Sequence, residues 1–184
     1  MIEIACDGSS LRNGDPETPI GWSWARDDGA WMSNGMIGGS NNRGELHAIL
    51  AILSSHPKGH LKILMDSQYA MNIAEKWGFS WEKKGWKKAD KKPIQNLDLV
   101  KRIIHLRHRR VDPVEFQWVK AHRANSHPLN VKADELCGDA ARRAQSIGDK
   151  GKMYYLDSKG RTTFPTEERI FISLYGKNLL SSDE

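Results

Sequence analysis

The order of apolar and polar residues predicts strands in the first part of the chain and alternating strands and helices after them. Apolar residues dominate 2–6, and the turn residues Asp7-Gly8-Ser9 are expected to end this first strand. The stretch GWSWARDDGAWMSNGMIGG alternates on both sides of Asp27-Asp28-Gly29, which predicts a β-hairpin. The next segment, SNNRGELHAILAILSSH, has apolar residues at helical spacing and Pro57 beyond its end, which predicts a helix.

The rest of the chain is predicted to alternate strands with helices. Strands are predicted at 61–65 and 114–119, and helices at about 67–77, 96–108 and 131–147. Strands joined by short turns pair in antiparallel fashion, whereas strands separated by helices join a sheet in parallel. The predicted fold is therefore α/β, with a mixed five-stranded sheet flanked by helices. Three antiparallel strands come first and two parallel strands follow.

One domain is predicted over residues 1–148, and residues 149–184 are interpreted as a polar C-terminal appendage of unknown role, with a candidate hairpin around DSKGR. The hydrophobic content of 39% and charged content of 28% are typical of a globular protein. No apolar run is long enough to span a membrane, and the N-terminus lacks signal-peptide character, so a cytoplasmic protein without a membrane partner is expected. Cys6 and Cys137 are predicted to be free thiols.

Charge is concentrated in one short segment. The net charge of the chain is +5, and residues 76–92 alone contain seven lysines against Glu82 and Asp90. A basic segment this concentrated indicates a polyanionic partner. The alternative interpretation is a solvated lysine-rich helix.

Four carboxylates are predicted to meet at one edge of the sheet. Asp7 follows the first strand and Asp66 follows the fourth, and the carboxyl ends of neighbouring parallel strands share the edge where open α/β sheets bind ligands. Glu45 lies in the first turn of the helix after the hairpin, and Asp134 lies near the start of the last helix. Divalent cations relieve the repulsion among crowded carboxylates. Oxygen ligands without a Cys/His cluster favour Mg²⁺ or Mn²⁺ over Zn²⁺.

Each carboxylate also has a purely structural interpretation. Asp7-Gly8 suits a turn, and Asn42-Arg43-Gly44-Glu45 suits a capping box. Asp134 and Glu135 suit the positive end of a helix dipole, and Asp66 is a candidate cap for a helix that begins at Ser67. Four such residues together favour a metal site over four separate structural roles.

Six fragments of the chain, in order, resemble bacterial ribonuclease HI of the type 1 RNase H family: CDGSS, NNRGEL, MDSQY, WEKKGWKKADKKP, WVKAH and ADELCGDAA. The resemblance covers about residues 1–147 and implies a ribonuclease H-like fold. It implies a monomeric, metal-dependent endoribonuclease that hydrolyses the RNA strand of RNA/DNA hybrids and leaves 5′-phosphate and 3′-hydroxyl ends. It also implies two Mg²⁺ ions, with Mn²⁺ as a substitute, held by Asp7, Glu45, Asp66 and Asp134.

The resemblance assigns further roles. His122, in VKAH, matches a loop histidine that assists proton transfer or product release, and His127 competes for this role because the loop departs from the family pattern. Residues 78–92 resemble a helical handle that holds the DNA strand, although its tryptophans could instead pack the handle onto the body. The resemblance implies contacts with the RNA by Asn13, Asn41 and Gln68, and contacts with a DNA phosphate by Asn42, Arg43 and Asn96. The implied contacts of the handle are Trp81, Lys83, Lys84, Trp86, Lys87 and Lys88.

Two other functions stay open at this point. Another nuclease of the same fold would act on structured DNA, as a Holliday-junction resolvase or an integrase-like enzyme does, but the DSQY and handle motifs argue against it. A non-catalytic module that binds hybrids would be expected to have lost some of the four carboxylates, yet all four are present.

Overall fold

A six-stranded mixed sheet forms the centre of the structure, a computed structural model that describes residues 1–121, 125–150 and 152–162. Across the sheet the strands follow the order β5-β4-β1-β2-β3-β6. The β1–β2, β2–β3 and β3–β6 pairs are antiparallel, and the β1–β4 and β4–β5 pairs are parallel. The strands are β1 (Ile2–Ser10), β2 (Pro19–Arg26), β3 (Trp31–Ile37), β4 (Leu61–Met65), β5 (Val114–Trp118) and β6 (Leu156–Asp157).

Five α-helices lie among the described residues. A π-helical turn, Ile73–Trp77, joins α2 and α3 into one continuous helical run, where the sequence predicted a single helix over about 67–77. The helices are α1 (Asn41–Ser55), α2 (Gln68–Asn72), α3 (Gly78–Lys83), α4 (Leu97–Arg109) and α5 (Pro128–Ile147). The predicted α/β fold, with three antiparallel strands followed by two parallel strands, is confirmed, but the predicted count of five strands is one too few.

Alternating side chains of the central strands build two separate cores. Ile4 and Cys6 of β1 lie in the larger core with residues of α1 and α4, whereas Ala5 between them packs in the smaller core with Ala133 of α5. The helix α5 packs directly on the sheet at Gly21 of β2. The absence of a side chain there allows this approach, because a Cβ atom on Gly21 would overlap the backbone of α5. The sheet therefore holds α1 and α5 on opposite faces.

The first strand continues through the residues where a turn was predicted. Residues 7–9 pair with residues 21–23 of β2. Gly8 serves close packing rather than a turn, because a Cβ atom there would overlap the backbone of Gly44 and Glu45. The prediction of a turn is wrong, and the same glycine brings the N-terminal part of α1 against β1.

The sixth strand comes from the C-terminal segment and covers the edge of β3. On either side of β6, Tyr154 N donates to Gly35 O at 2.9 Å and Ser158 N donates to Trp31 O at 3.0 Å. Asp157 is 4% exposed and accepts hydrogen bonds from backbone N–H groups that follow it. The candidate hairpin around DSKGR is therefore a turn that closes β6, whose strand partner is β3. The rest of the appendage, 163–184, lies outside the described residues.

Both cysteines, Cys6 and Cys137, are buried and free, as predicted. Among the described residues, no helix is both long enough and apolar enough to cross a membrane.

Candidate active site

The parallel pairing of β1 with β4 brings two of the predicted carboxylates together. Ala5 lies opposite Leu64 in this register, so Asp7 and Asp66, each two residues further along, become neighbours. Asp66 comes directly after the last residue of β4. The side-by-side arrangement predicted from the two strand ends is present in the structure.

The helices on the two faces of the sheet supply the other two carboxylates. Glu45 near the start of α1 is 3% exposed, and its carboxylate oxygens reach within 4.8 Å of those of Asp7 and Asp66. A carboxylate oxygen of Asp134, from α5, also lies within 4.8 Å of one of Asp7. All four line one pocket, together with Gly8, Ser9, Asn41, Ser67 and Ala121.

Burial and mutual repulsion make two of the four carboxyl groups, those of Asp7 and Glu45, weak acids. Burial, followed by the nearby charge of Asp66, raises the pKa of Asp7 to about 8. Burial, followed by the charges of Asp7 and Asp66, holds the pKa of Glu45 well above its usual range. The backbone N–H of Gly8 donates to Asp7 Oδ1 at 2.8 Å, which opposes the rise. Without a cation, the cluster therefore holds protons at neutral pH.

The donor set fits a hard divalent cation. Glu45 Oε2 is buried and has no hydrogen-bond partner among the described residues, so its lone pairs remain for another ligand. Carboxylate oxygens are the ligands that Mg²⁺ and Mn²⁺ prefer. Cys137 also lies within 4.8 Å of Asp7 and Asp134, but burial raises the pKa of its thiol, and its Sγ donates to Asp134 O at 3.2 Å. The site therefore presents four oxygen ligands to a cation and a protonated thiol beside them.

The helix caps near the site come from serines rather than from the candidate ligands. Ser67 begins α2, and its hydroxyl accepts from Ala70 N at 3.2 Å. Ser40 begins α1, and its hydroxyl accepts from Arg43 N at 3.2 Å. The capping interpretations of Asp66 and of the Asn42–Glu45 segment are therefore wrong.

The last helix begins earlier than predicted, at Pro128 rather than at residue 131. Proline is favoured in the first turn of a helix, where its missing N–H is not needed. Asp134 consequently lies in the second turn of α5, beyond the first turn in which the helix dipole acts most strongly. This position favours a role in the pocket over a role at the helix end.

Comparison with known proteins identifies the family. A family model described as RNase H matches residues 1–142 of the chain. The chain belongs to the ribonuclease H family. The predicted family and enzyme class, an RNA/DNA-hybrid ribonuclease, are thereby confirmed.

Curated relatives from bacteria carry the same family name. Ribonuclease H of Tropheryma whipplei (strain Twist) is 40% identical over 142 residues, which cover 76% of this chain and 84% of the relative. Ribonuclease H of Escherichia coli O9:H4 (strain HS) is 37% identical over 145 residues, which cover 77% of this chain and 89% of the relative.

Solved structures share the fold at lower sequence identity. LC9-RNase H1, described as a type 1 RNase H with the type 2 active-site motif, has a TM-score of 0.64 and 22% identity, covering 97% of this chain and 84% of that one. The foamy viral protease-reverse transcriptase in complex with an RNA/DNA hybrid has a TM-score of 0.65 and 16% identity, covering 77% of this chain and 20% of that one. These likenesses establish the ribonuclease H fold.

Of the two candidate loop histidines, the structure describes only His127. His122 lies outside the described residues. His127 is the N-cap residue of α5, where its Nδ1 accepts from Leu129 N at 3.3 Å and its Nε2 lies 3.4 Å from Glu3 Oε1. These contacts give His127 a structural role at the start of α5.

The polar residues predicted to contact RNA lie at different distances from the pocket. Asn41 lines the pocket, and its Oδ1 accepts from Ser10 N at 3.2 Å. Gln68 is the exposed first residue of α2, directly after the pocket residue Ser67. Asn13 is exposed and does not line the pocket, and the same holds for Asn42, which was predicted to contact a DNA phosphate. The structure therefore brings Asn41, but not Asn13, to the carboxylates.

The residues predicted to hold a DNA phosphate form an ion-paired group between two helices. The Arg43 guanidinium donates to both carboxylate oxygens of Asp98, at 3.1 and 2.7 Å, and to Asn96 Oδ1 at 3.3 Å. Asn96 precedes α4 in a left-handed conformation with φ 55°. Arg43 thus connects α1 to the start of α4. A DNA phosphate that binds Arg43 would compete with Asp98 for its guanidinium group.

The basic segment resembling a handle is helical only in its first part. The helix α3 ends at Lys83, and the left-handed residues Gly85 (φ 67°) and Trp86 (φ 62°) then turn the chain. Three of the four lysines predicted to contact DNA are exposed and the last is half-buried: Lys83, Lys84, Lys87 and Lys88.

The tryptophans of this segment attach it to the body of the protein. Trp81 and Trp86 are partly buried against the larger core. Lys88 Nζ lies 5.9 Å from the Trp81 ring centroid, and Lys101 Nζ lies 5.7 Å from that of Trp86. The packing interpretation therefore fits both rings, and the lysines remain the groups that can face a phosphate backbone.

No role is predicted from the sequence for two residues that the structure brings to the site. Ser67 lines the pocket, and its only signal in the sequence is its place after Asp66, ahead of a helix. Trp118 donates from Nε1 to the backbone oxygen of Asp66 at 3.0 Å. It belongs to the WVKAH motif, from which only the histidine is assigned a role.

Proposed function

We propose that this ribonuclease H family member hydrolyses the RNA strand of RNA/DNA hybrids and leaves 5′-phosphate and 3′-hydroxyl ends. One observation carries the proposal: carboxylates from β1, α1, the end of β4 and α5 converge in a single pocket of a ribonuclease H fold. A single chain supplies all four groups, so the active unit proposed is a monomer.

The proposed cofactor is a pair of Mg²⁺ ions, with Mn²⁺ as a substitute, held by Asp7, Glu45, Asp66 and Asp134. When bound, such ions would activate a water molecule and stabilise the leaving oxygen of the scissile phosphate. The orphaned Glu45 Oε2 and the close approach of the carboxylates support this assignment.

The carboxylates prepare the site for a cation through burial and through their protonation state. Asp7 and Glu45 are almost fully buried, which limits competition by water for their oxygens. Since the pKa of both groups is raised, the site would release protons when it takes up a cation near neutral pH. We propose that His122 assists proton transfer during the reaction.

Recognition of a hybrid requires contact with the 2′-hydroxyl of RNA, which duplex DNA lacks. Asn41 in the pocket and Gln68 beside it carry amides that can both donate to and accept from a hydroxyl. The exposed lysines at the end of α3 are proposed to neutralise phosphates of the DNA strand.

A substrate panel tests the proposed function. Labelled RNA/DNA hybrid, duplex DNA, duplex RNA and branched DNA are incubated with the full chain in Mg²⁺ and, separately, in EDTA. We expect cleavage of the RNA strand of the hybrid alone, and no cleavage in EDTA. Tight binding of the hybrid without cleavage would favour a binding module, and cleavage of branched DNA would assign the chain to another nuclease activity of this fold.

A further inference from the structure

Asp66 differs from the other three carboxylates in how its backbone is held. Asp7 lies inside β1, Glu45 lies in α1 and Asp134 lies in α5, so the hydrogen bonds of a strand or helix fix each main chain. Asp66 lies in the two-residue break between β4 and α2. Its position therefore depends on contacts from outside a regular element.

This difference matters because the carboxylates crowd one another. One carboxylate oxygen from each of Asp7, Glu45 and Asp66 lies within 4.8 Å of the other two, so the ionised groups that a cation needs repel one another until the cation is bound. Repulsion displaces a group whose main chain lies outside a strand or helix more easily than one within such an element. A residue that fixes the backbone of Asp66 would keep the site in the geometry that a cation needs.

The edge strand β5 supplies such a restraint. Trp118, its last residue, lies opposite Met65 in the parallel register, and the N–H of Val119 donates to Met65 O at 3.0 Å. One residue further, the Trp118 indole Nε1–H donates to Asp66 O, also at 3.0 Å. Two hydrogen bonds at the end of β5, one from the Val119 backbone and one from the Trp118 side chain, therefore extend the contact with β4 to the peptide group of Asp66.

Packing alone does not account for this tryptophan. Trp118 is 44% exposed, whereas its neighbour Val119 is 8% exposed and packs in the smaller core. A large apolar side chain on an edge strand normally gains little from such exposure. What the indole contributes here is a rigid ring that places one N–H donor at the backbone of a candidate ligand.

We propose that Trp118 is a positioning residue of the metal site, whose indole N–H holds the Asp66 main chain so that the Asp66 carboxylate is fixed for a divalent cation. The inference rests on the proposed function. It assigns Trp118 no contact with the cation, the substrate or the reacting atoms.

The matched test compares Trp118→Phe, which keeps an aromatic ring without the N–H donor, with Trp31→Phe, a tryptophan of β3 outside the pocket. Mn²⁺ binding to each full-length protein is measured by isothermal titration calorimetry without nucleic acid. We expect about three- to tenfold weaker binding by Trp118→Phe, the factor for one neutral hydrogen bond, and unchanged binding by Trp31→Phe.

Steady-state kinetics should show the same difference between Trp118→Phe and Trp31→Phe. For Trp118→Phe, the Mg²⁺ concentration at half-maximal rate should rise by the same factor as the Mn²⁺ dissociation constant. The KM for the hybrid and the rate at saturating Mg²⁺ should remain within about twofold of the parent chain. Lower stability with unchanged metal affinity would show a merely structural role and would overturn the proposal.

A measurement on the unmodified chain keeps the test decisive if the phenylalanine variant does not fold. Because coupling between two sites is reciprocal, bound cation should stabilise the Trp118–Asp66 hydrogen bond as much as that bond favours the cation. We expect Mg²⁺ to slow hydrogen exchange of the Trp118 indole N–H, observed by NMR. Exchange that is independent of Mg²⁺ would overturn the proposal.

Failure of this inference is distinguishable from failure of the proposed function. If the parent chain binds Mn²⁺ and cleaves the hybrid while Trp118→Phe behaves identically, only the role of Trp118 is wrong. If the parent chain neither binds the cation nor cleaves the hybrid, the proposed function and the inference built on it both fail.

Discussion

Among the four carboxylates, Asp7 shows most clearly how burial and neighbouring charge affect the site. It is 5% exposed in the middle of β1, and burial together with the charge of Asp66 raises its pKa to about 8. Such a group opposes folding whenever it is ionised without a compensating cation. Ionisation of the carboxylate cluster therefore lowers the stability of the folded protein, and a bound cation would compensate this loss.

Replacing Asp7 should stabilise the metal-free protein increasingly as the pH rises. The folded chain keeps the Asp7 proton up to a pH of about 8, whereas the unfolded chain loses it near the ordinary value of 3.8, so ionisation destabilises the folded state between these values. In EDTA, Asp7→Asn should gain about 1–2 kcal/mol in free energy of unfolding over the parent chain from about pH 6.5 to about pH 8. Urea unfolding at the two pH values measures this gain.

The control for this variant is Asp139→Asn, an exposed aspartate of α5 that pairs with Arg142. Its stability relative to the parent chain should not change across the same pH interval. Asp7→Asn should also abolish cleavage of the hybrid. A difference in stability between Asp7→Asn and the parent chain that does not depend on pH would contradict the assigned state of Asp7.

The two loop histidines should separate in their effects on rate and stability. His127→Ala removes the N-cap of α5 and the contact with Glu3, so it should lower the free energy of unfolding by about 1 kcal/mol and leave the cleavage rate nearly unchanged. His122→Ala should lower the rate by about 10²-fold with little effect on stability. Thermal melts and single-turnover kinetics of both variants check this, and the reverse pattern would assign the loop role to His127.

The sequence predicts the meeting of the carboxylates but not the finer contacts around them. Asp7 and Asp66 follow from the position of two parallel strands, which is a matter of element order. The cap at Ser67 and the bond from Trp118 depend on exact backbone direction at the end of β4, which hydrophobic periodicity does not encode.

Among the contacts between secondary-structure elements, the close packing of α1 against β1 sets the position of Glu45. Gly8 allows this approach because any Cβ there would overlap the backbone of Gly44 and Glu45. A backbone overlap cannot be relieved by a change of side-chain rotamer, so the helix itself would have to move. The geometry of the site therefore depends on a residue without a side chain.

Gly8→Ala should lower the free energy of unfolding by about 2–3 kcal/mol and reduce cleavage of the hybrid, because α1 would carry Glu45 away from Asp7. The matched control is Gly138→Ala in α5, where a Cβ would meet only the flexible side chain of Arg142. That change should raise stability by about 0.5–1 kcal/mol. Thermal melts compare the two, and equal effects would show that Gly8 does not set the packing.

Element predictions succeed where the pattern is local and fail where it is not. The strand β4 occupies residues 61–65 as predicted, because a short apolar run between polar segments identifies it. The strand β1 extends to Ser10, past the predicted turn. The glycine that suggested a turn, Gly8, instead allows close packing against α1, a contact that is distant in sequence. The two-residue strand β6 has no periodicity of its own and exists only through its pairing with β3.

For the whole molecule, the sequence order of strands and helices is enough to predict the mixed sheet. The antiparallel pairs β1–β2 and β2–β3 and the parallel pairs β1–β4 and β4–β5 follow from the length of the connections between strands. The sixth strand returns to β3 from the far end of the chain, and such a long-range pairing has no local signal. It covers the free edge of β3, which would otherwise be open to another chain.

The basic segment should dominate the salt dependence of binding. With Asp66→Asn to prevent cleavage, alanine at Lys83, Lys84, Lys87 and Lys88 should reduce the slope of log affinity against log salt by about 2–3, because each phosphate contact contributes nearly one counterion. Fluorescence anisotropy with a labelled hybrid over a range of NaCl concentrations measures the slope. The control carries alanine at four exposed lysines elsewhere: Lys58, Lys150, Lys152 and Lys159. Equal slopes in the two variants would show that net charge, rather than this segment, directs binding.

The proposed metal site is tested by Mg²⁺-dependent cleavage of an RNA/DNA hybrid by the parent chain and by Asp66→Asn, with Asp139→Asn as the control and a thermal melt of each protein. We predict RNA-strand cleavage that is at least about 10²-fold slower in Asp66→Asn, with no loss of thermal stability and no change in Asp139→Asn. A normal rate in Asp66→Asn, or a slower rate that merely follows a loss of stability, would contradict the assignment of Asp66 as a metal ligand.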